Sequence, residues 1–167
     1  PTIARVQGDT YAGGMGLVAA CDIAISVDTA NYCLSEVKLG LIPATISPYV
    51  IRAMGPRASH RYFLTAERFS AEEALRIGFV HEVVKADQID AKVQEIAQSL
   101  VAAGPAAVKA CKELVHDVAG REIAAKRGLV SRRSMLKRTG DSGLKASSAS
   151  ASTTSIMRLT RLDSMVV

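Results

Sequence analysis

The chain has 167 residues, 49% of them hydrophobic, which predicts one domain with a sizeable core. No apolar run reaches the ~18 residues of a membrane span, and no signal-peptide pattern opens the chain, so we expect a soluble, cytoplasmic protein without membrane contact. The net charge is +5, but residues 1–120 hold 11 Lys/Arg against 13 Asp/Glu and residues 121–167 hold 10 against 3. Because the basic excess lies only at the C-terminal end, a nucleic-acid partner is not expected.

The first half of the sequence predicts short strands around one buried helix. Glycines open that helix, and its residues 17–21 are almost wholly apolar. The other elements here are β-branched strands and turns. In chain order we predict a strand over 2–6, a turn from residue 8, the helix from residue 13, strands over 22–27 and 32–34, and a loop or partial turn over 36–42.

The second half predicts several helices from their end signals. Ser47-Pro48 is typical of an N-cap followed by proline, and Ser70–Glu73 has the spacing of a capping box. The remaining boundaries come from glycines, prolines and apolar periodicity. We predict helices from 47 to 55, from 56 to about 66, from 70 to 78, from 87 to about 103 and from 106 to 118, with an extended segment over 79–84.

The character of the sequence changes after residue 120. Residues 121–167 are basic and Ser-rich, and residues 146–155 contain only Ala, Ser and Thr. Such a segment buries too little apolar surface to offset the entropy of ordering, so we expect disorder there. The sequence therefore predicts a folded core over 1–120 and an atypical basic tail over 121–167.

Gly13, Gly14 and Gly16 stand at the start of the buried helix. Glycines allow a ligand to approach the backbone closely, and the first N–H groups of a helix attract negative charge. The segment is thus a candidate site for an anion or a developing oxyanion, although a tight structural turn would need the same glycines. Gly14–Ala19 also matches the G-x-G-x-x-A dinucleotide pattern, with Glu36 at the expected distance, but residues 8–13 separate it from the preceding strand.

Glu36 is the second candidate because apolar residues surround this single carboxylate in the sequence. A carboxylate in an apolar environment suits proton transfer near neutral pH. The alternative is a surface glutamate paired with Lys38. The three cysteines and three histidines show no metal-ligand spacing, so no metal site is predicted.

Three stretches resemble the enoyl-CoA hydratase/isomerase (crotonase) family in order and spacing: AGGMGLVAACD (residues 12–22), LSEVKLGLIP (34–43) and TAERFSAEEALRIGFVHEVV (65–84). The resemblance implies an α/β fold of stacked ββα units, here partial and followed by helices and the tail. It also implies an acyl-CoA thioester as substrate, an enolate intermediate, no separate cofactor, and assembly as a trimer or hexamer. The family's N-terminal region, which carries the other oxyanion N–H, has no match here.

Carried over by position, the resemblance implies that Gly13 is an oxyanion donor and Glu36 the catalytic acid/base. Gly14, Gly16, Pro43, Ala44 and Thr45 would line the substrate site. The first glutamate of the two-glutamate hydratases would fall on Gly16, so that carboxylate is absent. Glu36 could then act alone on water, move a proton between carbons as in the isomerases, or remain in a protein without catalysis.

The segment LGLIPATISPYV (residues 39–50) further resembles methylglutaconyl-CoA and carboxygeranoyl-CoA hydratases. That resemblance favours hydration of a branched, carboxylated enoyl-CoA over isomerisation. Thr45, Ser47 and Tyr49 would offer hydroxyls to a polar acyl end, although helix capping by Ser47 and core packing by Tyr49 are the simpler roles.

Overall fold

The computed structural model describes residues 1–119 and 155–159, which fall into two compact units. The first unit contains residues 1–103 together with the strand over 155–159, and the second contributes one described helix after residue 104. No helix among the described residues is both long and apolar enough to cross a membrane.

The first unit alternates short strands with helices, as the sequence predicts. A 3₁₀ helix over Glu36–Leu39 follows the fourth strand. The elements of this unit are β1 (Thr2–Val6), β2 (Thr10–Tyr11), α1 (Gly13–Ala20), β3 (Ile23–Val27), β4 (Asn31–Cys33), α2 (Ser47–Thr65), β5 (Phe69–Ser70), α3 (Ala71–Arg76), β6 (Glu82–Val84), α4 (Ile89–Ala102) and β7 (Ser155–Leu159). The second unit contains α5 (Pro105–Val118), an amphipathic helix with proline in its first turn.

Two sheets organise the first unit. One is parallel, in the order β6-β3-β1-β7, and the other has the order β2-β4-β5 with β2 and β4 parallel. Each of β1-β2-α1 and β3-β4-α2 therefore adds one strand to each sheet before its helix. This repetition is the stacked ββα architecture that the family resemblance implies.

Aromatic side chains fill the core between these elements. The rings of Tyr32 and Phe69 stack with centroids 5.5 Å apart, and Phe79 meets Tyr32 edge-on at 5.4 Å. The Tyr32 hydroxyl donates to Ser26 Oγ at 2.7 Å, so its polar end is satisfied within the core. Burial raises the pKa of Tyr32 to about 12, which keeps this phenol neutral.

The helix signals of the second half are largely confirmed. The backbone of α2 breaks at Gly55, which has φ 76° and ψ 163°, and the helix resumes at Pro56. Ser70 caps α3 by accepting a hydrogen bond from the Glu73 N–H at 3.2 Å. The assignment of Ser47 as an N-cap is wrong: Ile46 occupies that position, and the Ser47 hydroxyl donates to the Ala44 carbonyl at 2.9 Å.

The sequence predicts disorder in the C-terminal segment, residues 121–167. Most of these residues lie outside the part of the chain that the structure describes. Residues 155–159 are the exception, because they form β7 and pair in parallel with all of β1, from Thr2 to Val6. Their sequence, Ser-Ile-Met-Arg-Leu, contains apolar residues that suit a strand, and β1 offers a row of backbone groups to pair with. The predicted boundary at residue 120 is not tested by these observations.

Glu73 links α3 to α2 and makes stability depend on pH. Hydrogen bonds from Arg76 (2.5 and 2.6 Å) and from the Tyr62 hydroxyl (2.8 Å) lower the pKa of Glu73 to about 2. Since the folded-state pKa lies below the ordinary value of 4.5, the stabilisation is complete above pH 4.5 and is lost as pH falls towards 2.

We therefore expect Glu73→Gln to be less stable than the parent at pH 6 and to approach it in stability near pH 2. Urea unfolding at several pH values measures the difference. Glu72→Gln, at an exposed position in the same helical turn, is the matched control. A Glu73→Gln deficit that stays constant between pH 6 and 2 would contradict the assignment.

Candidate active site

Gly13 and Glu36 follow two strands that lie side by side. β2 and β4 pair in parallel, with Tyr11 opposite Cys33, and the Ala12 N–H donates to the Cys33 carbonyl at 2.9 Å. Gly13 comes directly after Ala12, and Glu36 begins the 3₁₀ helix soon after Cys33. Parallel strands end at the same edge of a sheet, so this pairing brings the glycine-led helix and the glutamate to one edge.

The backbone at Ala12 turns the chain sharply from β2 into α1. Ala12 has φ 45° and ψ −120°, a conformation that glycine adopts without strain and alanine does not. The Ala12 carbonyl then accepts from the Met15 N–H at 3.0 Å, which closes the first turn. Gly13 is the first residue of α1, where a backbone N–H has no intrahelical acceptor and remains available to a ligand.

Glu36 is partly buried, and its two carboxylate oxygens differ in environment. Oε2 is inaccessible to solvent and has no hydrogen-bond partner among the described residues. Leaving a buried acceptor unpaired typically costs about 1–3 kcal/mol, so such groups are uncommon outside functional sites. The alternative that Glu36 pairs with Lys38 receives no support, because no ion pair joins these two described residues.

The predicted substrate-binding glycines lie inside α1. An added β-carbon at Gly14 would lie 3.2 Å from Thr10 Cγ2, a tight contact that a small shift of the Thr10 side chain would relieve. Gly16 is buried, and an added β-carbon would lie 2.2 Å from Ile46 Cγ2. Close packing therefore requires a glycine at residue 16, and the substrate-binding role of both glycines stays a prediction. A dinucleotide fingerprint needs its first glycine in the turn directly after the strand, whereas Gly14 lies inside α1. This position argues against dinucleotide binding.

Pro43, Ala44 and Thr45 form the turn that leads into α2, and Ala44 and Thr45 are exposed. The Pro43 carbonyl accepts from the Ser47 N–H at 3.0 Å, which fixes the turn to the helix. Several large apolar side chains around this turn are also exposed, with Leu39 65% and Ile42 79% accessible. We call the exposed apolar side chains of this segment the apolar cluster, and several such side chains in one short segment favour a binding surface. Its members are Val37, Leu39, Leu41, Ile42, Tyr49 and Ile51.

Cys33 lies next to the candidate site but has a structural environment. It is buried, and its thiol donates to the Ala66 carbonyl at 3.3 Å. Burial raises the pKa of the Cys33 thiol, which disfavours the nucleophilic thiolate. Within the described residues, no three His, Cys, Asp or Glu side chains are grouped so that they could hold a metal ion.

Sequence reasoning missed two features of this unit. The first is Ile46, whose contact with Gly16 arises only because α2 packs on α1. The second is a basic cavity of about 580 Å³ that contains none of the predicted site residues. Two of its arginines, Arg61 and Arg76, are already paired with Glu67 and Glu73. Its lining comprises Met54, Arg57, Ala58, His60, Arg61, Tyr62, Glu73, Arg76 and Ile77.

Relief of the strain at Ala12 gives a test of the turn that presents Gly13. A positive-φ alanine in this region costs about 1–3 kcal/mol, whereas the extra unfolded-state entropy of glycine costs about 0.4–1 kcal/mol. Because the strain is the larger effect, Ala12→Gly should raise the free energy of unfolding by about 1 kcal/mol in urea titrations. Ala19→Gly, inside α1, should lower it by about 0.5–1 kcal/mol. An equal decrease in the free energy of unfolding of both variants would show that the Ala12 backbone is unstrained.

Comparison with known proteins gives a consistent result. The family model described as enoyl-CoA hydratase/isomerase matches residues 1–150, which extends past the predicted boundary at residue 120. The enoyl-CoA hydratase ACTT6 of Alternaria alternata is 35% identical over 132 residues, covering 73% of this chain and 44% of that protein.

Solved structures share the fold. An enoyl-CoA hydratase/isomerase (crotonase) from Legionella pneumophila is 45% identical with a TM-score of 0.75, covering 83% of this chain and 52% of its own. An enoyl-CoA hydratase from Thermobifida fusca in complex with CoA is 33% identical with a TM-score of 0.75, covering 81% and 53%. The chain thus spans about half the length of the relatives it matches. By family match, sequence identity and fold, the chain belongs to the enoyl-CoA hydratase/isomerase family.

Proposed function

We propose that this chain carries the acid/base part of an active site that acts on an enoyl-CoA thioester, with addition of water across the α,β double bond as its first candidate reaction. The buried, unpartnered Oε2 of Glu36 is the observation that carries the proposal. It is supported by the adjacent strand ends that precede Gly13 and Glu36.

An unpaired carboxylate oxygen is suited to a substrate that supplies the missing partner. Oε2 is closed to solvent, so a substrate reaches it by displacing the atoms that cover it, and its proton donor or acidic C–H group then meets no competing protein donor. The Gly13 N–H, at the positive end of α1, would stabilise negative charge on the thioester oxygen. Acid/base catalysis and oxyanion stabilisation together are what an enolate intermediate requires.

In the hydration reaction, Glu36 takes a proton from water as the water oxygen bonds to the β-carbon. The electron pair of the double bond moves towards the thioester carbonyl, whose oxygen becomes an enolate stabilised by the Gly13 N–H. Return of a proton to the α-carbon gives the β-hydroxyacyl thioester. The reaction needs no redox partner, and coenzyme A enters as part of the substrate.

A branched acyl chain with a carboxylate end is the substrate we favour. The exposed apolar cluster around residues 37–51 supplies apolar area, and Thr45 lies exposed in the turn beside it. A thioester of CoA is supported by the relative from Thermobifida fusca, whose structure was solved in complex with CoA. A homotrimer or hexamer also remains our proposal, and the same apolar residues could contribute to its interfaces.

Acyl-CoA binding without catalysis is the second candidate function. By resemblance, the first glutamate of the two-glutamate hydratases falls on Gly16, so this chain lacks that carboxylate. A protein that keeps the fold and binds acyl-CoA without catalysis would need Gly13 and the apolar cluster but not the carboxyl chemistry of Glu36. Hydrogen–deuterium exchange at the α-carbon of a saturated acyl-CoA separates the two functions, because exchange requires a base.

Replacement of Glu36 tests the proposal. Glu36→Gln keeps the size of the side chain but cannot accept the proton, so α-proton exchange of butyryl-CoA in D₂O should fall by about 10²–10⁴. Mass spectrometry measures the exchange, and calorimetric titration with butyryl-CoA should give an unchanged Kd.

Lys38→Ala is the matched control, since Lys38 is exposed in the same 3₁₀ turn. It should exchange at the parental rate. Exchange by the Glu36→Gln variant at the parental rate would remove Glu36 from the mechanism. Binding of butyryl-CoA without exchange by the parent chain would favour the non-catalytic function.

A further inference from the structure

The cavity of about 580 Å³ in the first unit lies between α2 and the last turn of α3. Its volume falls within the range of about 300–1,000 Å³ that is typical of small-molecule sites. None of the residues predicted for the candidate active site lines it. After the break at Gly55, four of its lining residues follow one another at helical spacing, so one face of α2 borders the cavity: Arg57, Ala58, Arg61 and Tyr62.

The lining combines buried apolar side chains with exposed basic ones. Met54 and Tyr62 belong to the hydrophobic core, whereas Arg57 and His60 are exposed. The guanidinium carbon of Arg61 lies 5.3 Å from the centroid of the Tyr62 ring, which places a positive charge over an aromatic surface. A ligand that has both an apolar body and a negative charge would therefore find a matching partner for each part.

Two arginines of the cavity are held by carboxylates but keep free N–H groups. Arg61 Nε and Nη2 donate to Glu67 at 2.5 and 3.2 Å, and Arg76 Nε and Nη2 donate to Glu73 at 2.5 and 2.6 Å. These bonds leave the Nη1 group of each arginine unused. The Arg61 charge also helps to lower the pKa of Glu73, after the larger effects of hydrogen bonds from Arg76 and the Tyr62 hydroxyl. Arg61 and Arg76 therefore act on the same small region.

Arg57 carries the positive charge that no carboxylate compensates. Neither Arg57 nor His60 makes a hydrogen bond or an ion pair with any residue that the structure describes. Three arginines thus line the cavity, and carboxylates pair with only two of them. A concave surface with an excess of one charge raises the local concentration of ions of the opposite charge. The planar guanidinium of arginine matches the oxygen atoms of phosphate and carboxylate groups.

We propose that the cavity between α2 and α3 is a second ligand site of this chain, which binds a small phosphate monoester with an apolar body and is separate from the acyl-CoA site. A phosphate monoester carries a charge of about −1.5 to −2 near pH 7 and has three terminal oxygens. These oxygens can accept from Arg57 and from the Nη1 groups of Arg61 and Arg76 together, whereas a carboxylate offers only two oxygens. The apolar body would pack on Met54 and the Tyr62 ring. The proposal does not depend on catalysis by Glu36.

Calorimetric titration of the full chain with phenyl phosphate tests the site. Inorganic phosphate has the charge without the body, and phenol has the body without the charge. We expect a Kd of about 1 mM or tighter for phenyl phosphate, and values about 10-fold weaker for each of the other two. Phenyl phosphate that binds no more tightly than phenol or inorganic phosphate would overturn the proposal.

Three single substitutions should change the affinity for phenyl phosphate in different directions. Arg57→Gln removes the uncompensated charge and should weaken binding about 10-fold. Glu67→Gln releases Arg61 from its ion pair and should strengthen binding about 3-fold. Arg52→Gln, the matched control, removes one positive charge from α2 outside the cavity lining and should leave the Kd unchanged. Equal effects of Arg57→Gln and Arg52→Gln would show nonspecific attraction to a basic surface and would contradict the site.

Competition with butyryl-CoA separates this site from the acyl-CoA site, because coenzyme A also carries phosphate groups. Saturating butyryl-CoA should leave the Kd of phenyl phosphate unchanged, and Arg57→Gln should leave the Kd of butyryl-CoA unchanged. Nuclear magnetic resonance should show the largest shifts on adding phenyl phosphate at residues 57–62 and 76–77. Displacement of phenyl phosphate by butyryl-CoA, or shifts centred on Glu36, would overturn a separate site and leave the proposed function standing. Loss of α-proton exchange in the Glu36 variant has no bearing on this result.

Discussion

One backbone hydrogen bond, from the Ala12 N–H to the Cys33 carbonyl, holds the candidate site together. It extends the pairing of β2 with β4 beyond Tyr11 and so fixes the start of α1 against the segment that leads to Glu36. Without it, only the pairing of Thr10 and Tyr11 with Tyr32 and Cys33 would hold the two segments side by side. With it, both are attached to one sheet edge, and the rigid part of the unit positions the groups that would meet a substrate.

Two features of the candidate site lower the free energy of unfolding of this unit. Ala12 has a backbone conformation that favours glycine, and Glu36 Oε2 is buried without a partner. Each feature typically costs about 1–3 kcal/mol. The core compensates, because the aromatic cluster and the parallel strands bury large apolar side chains such as Tyr32 and Phe79. Local costs of this kind, concentrated next to an open apolar surface, are typical of a functional site rather than of a structural turn.

The sequence predicts the features that are determined by residues adjacent in the chain, such as helix ends and caps. The helix start at Gly13, the break at Gly55 and the Ser70 cap rest on local geometry and were confirmed. The cap of α2 was misassigned by one residue, because Ile46 holds the N-cap position and the Ser47 hydroxyl donates to the Ala44 carbonyl instead of capping the helix. Nothing local could reveal that Ile46 fills the space beside Gly16, nor that residues 155–159 pair with β1, since both contacts join distant parts of the chain. The roles of Gly13 and Glu36 came from family resemblance, and they stay predictions.

Gly16 in α1 and Ile46 at the N-cap of α2 fit together in volume. Glycine at residue 16 removes a side chain, and Ile46 occupies the space that this leaves, so the interior stays closely packed. Any side chain introduced at residue 16 alone would thus produce a steric conflict, because its β-carbon and Ile46 Cγ2 would lie 2.2 Å apart. Residues 16 and 46 therefore form a coupled pair, and we expect a larger side chain at residue 16 to be tolerated only together with a smaller one at residue 46.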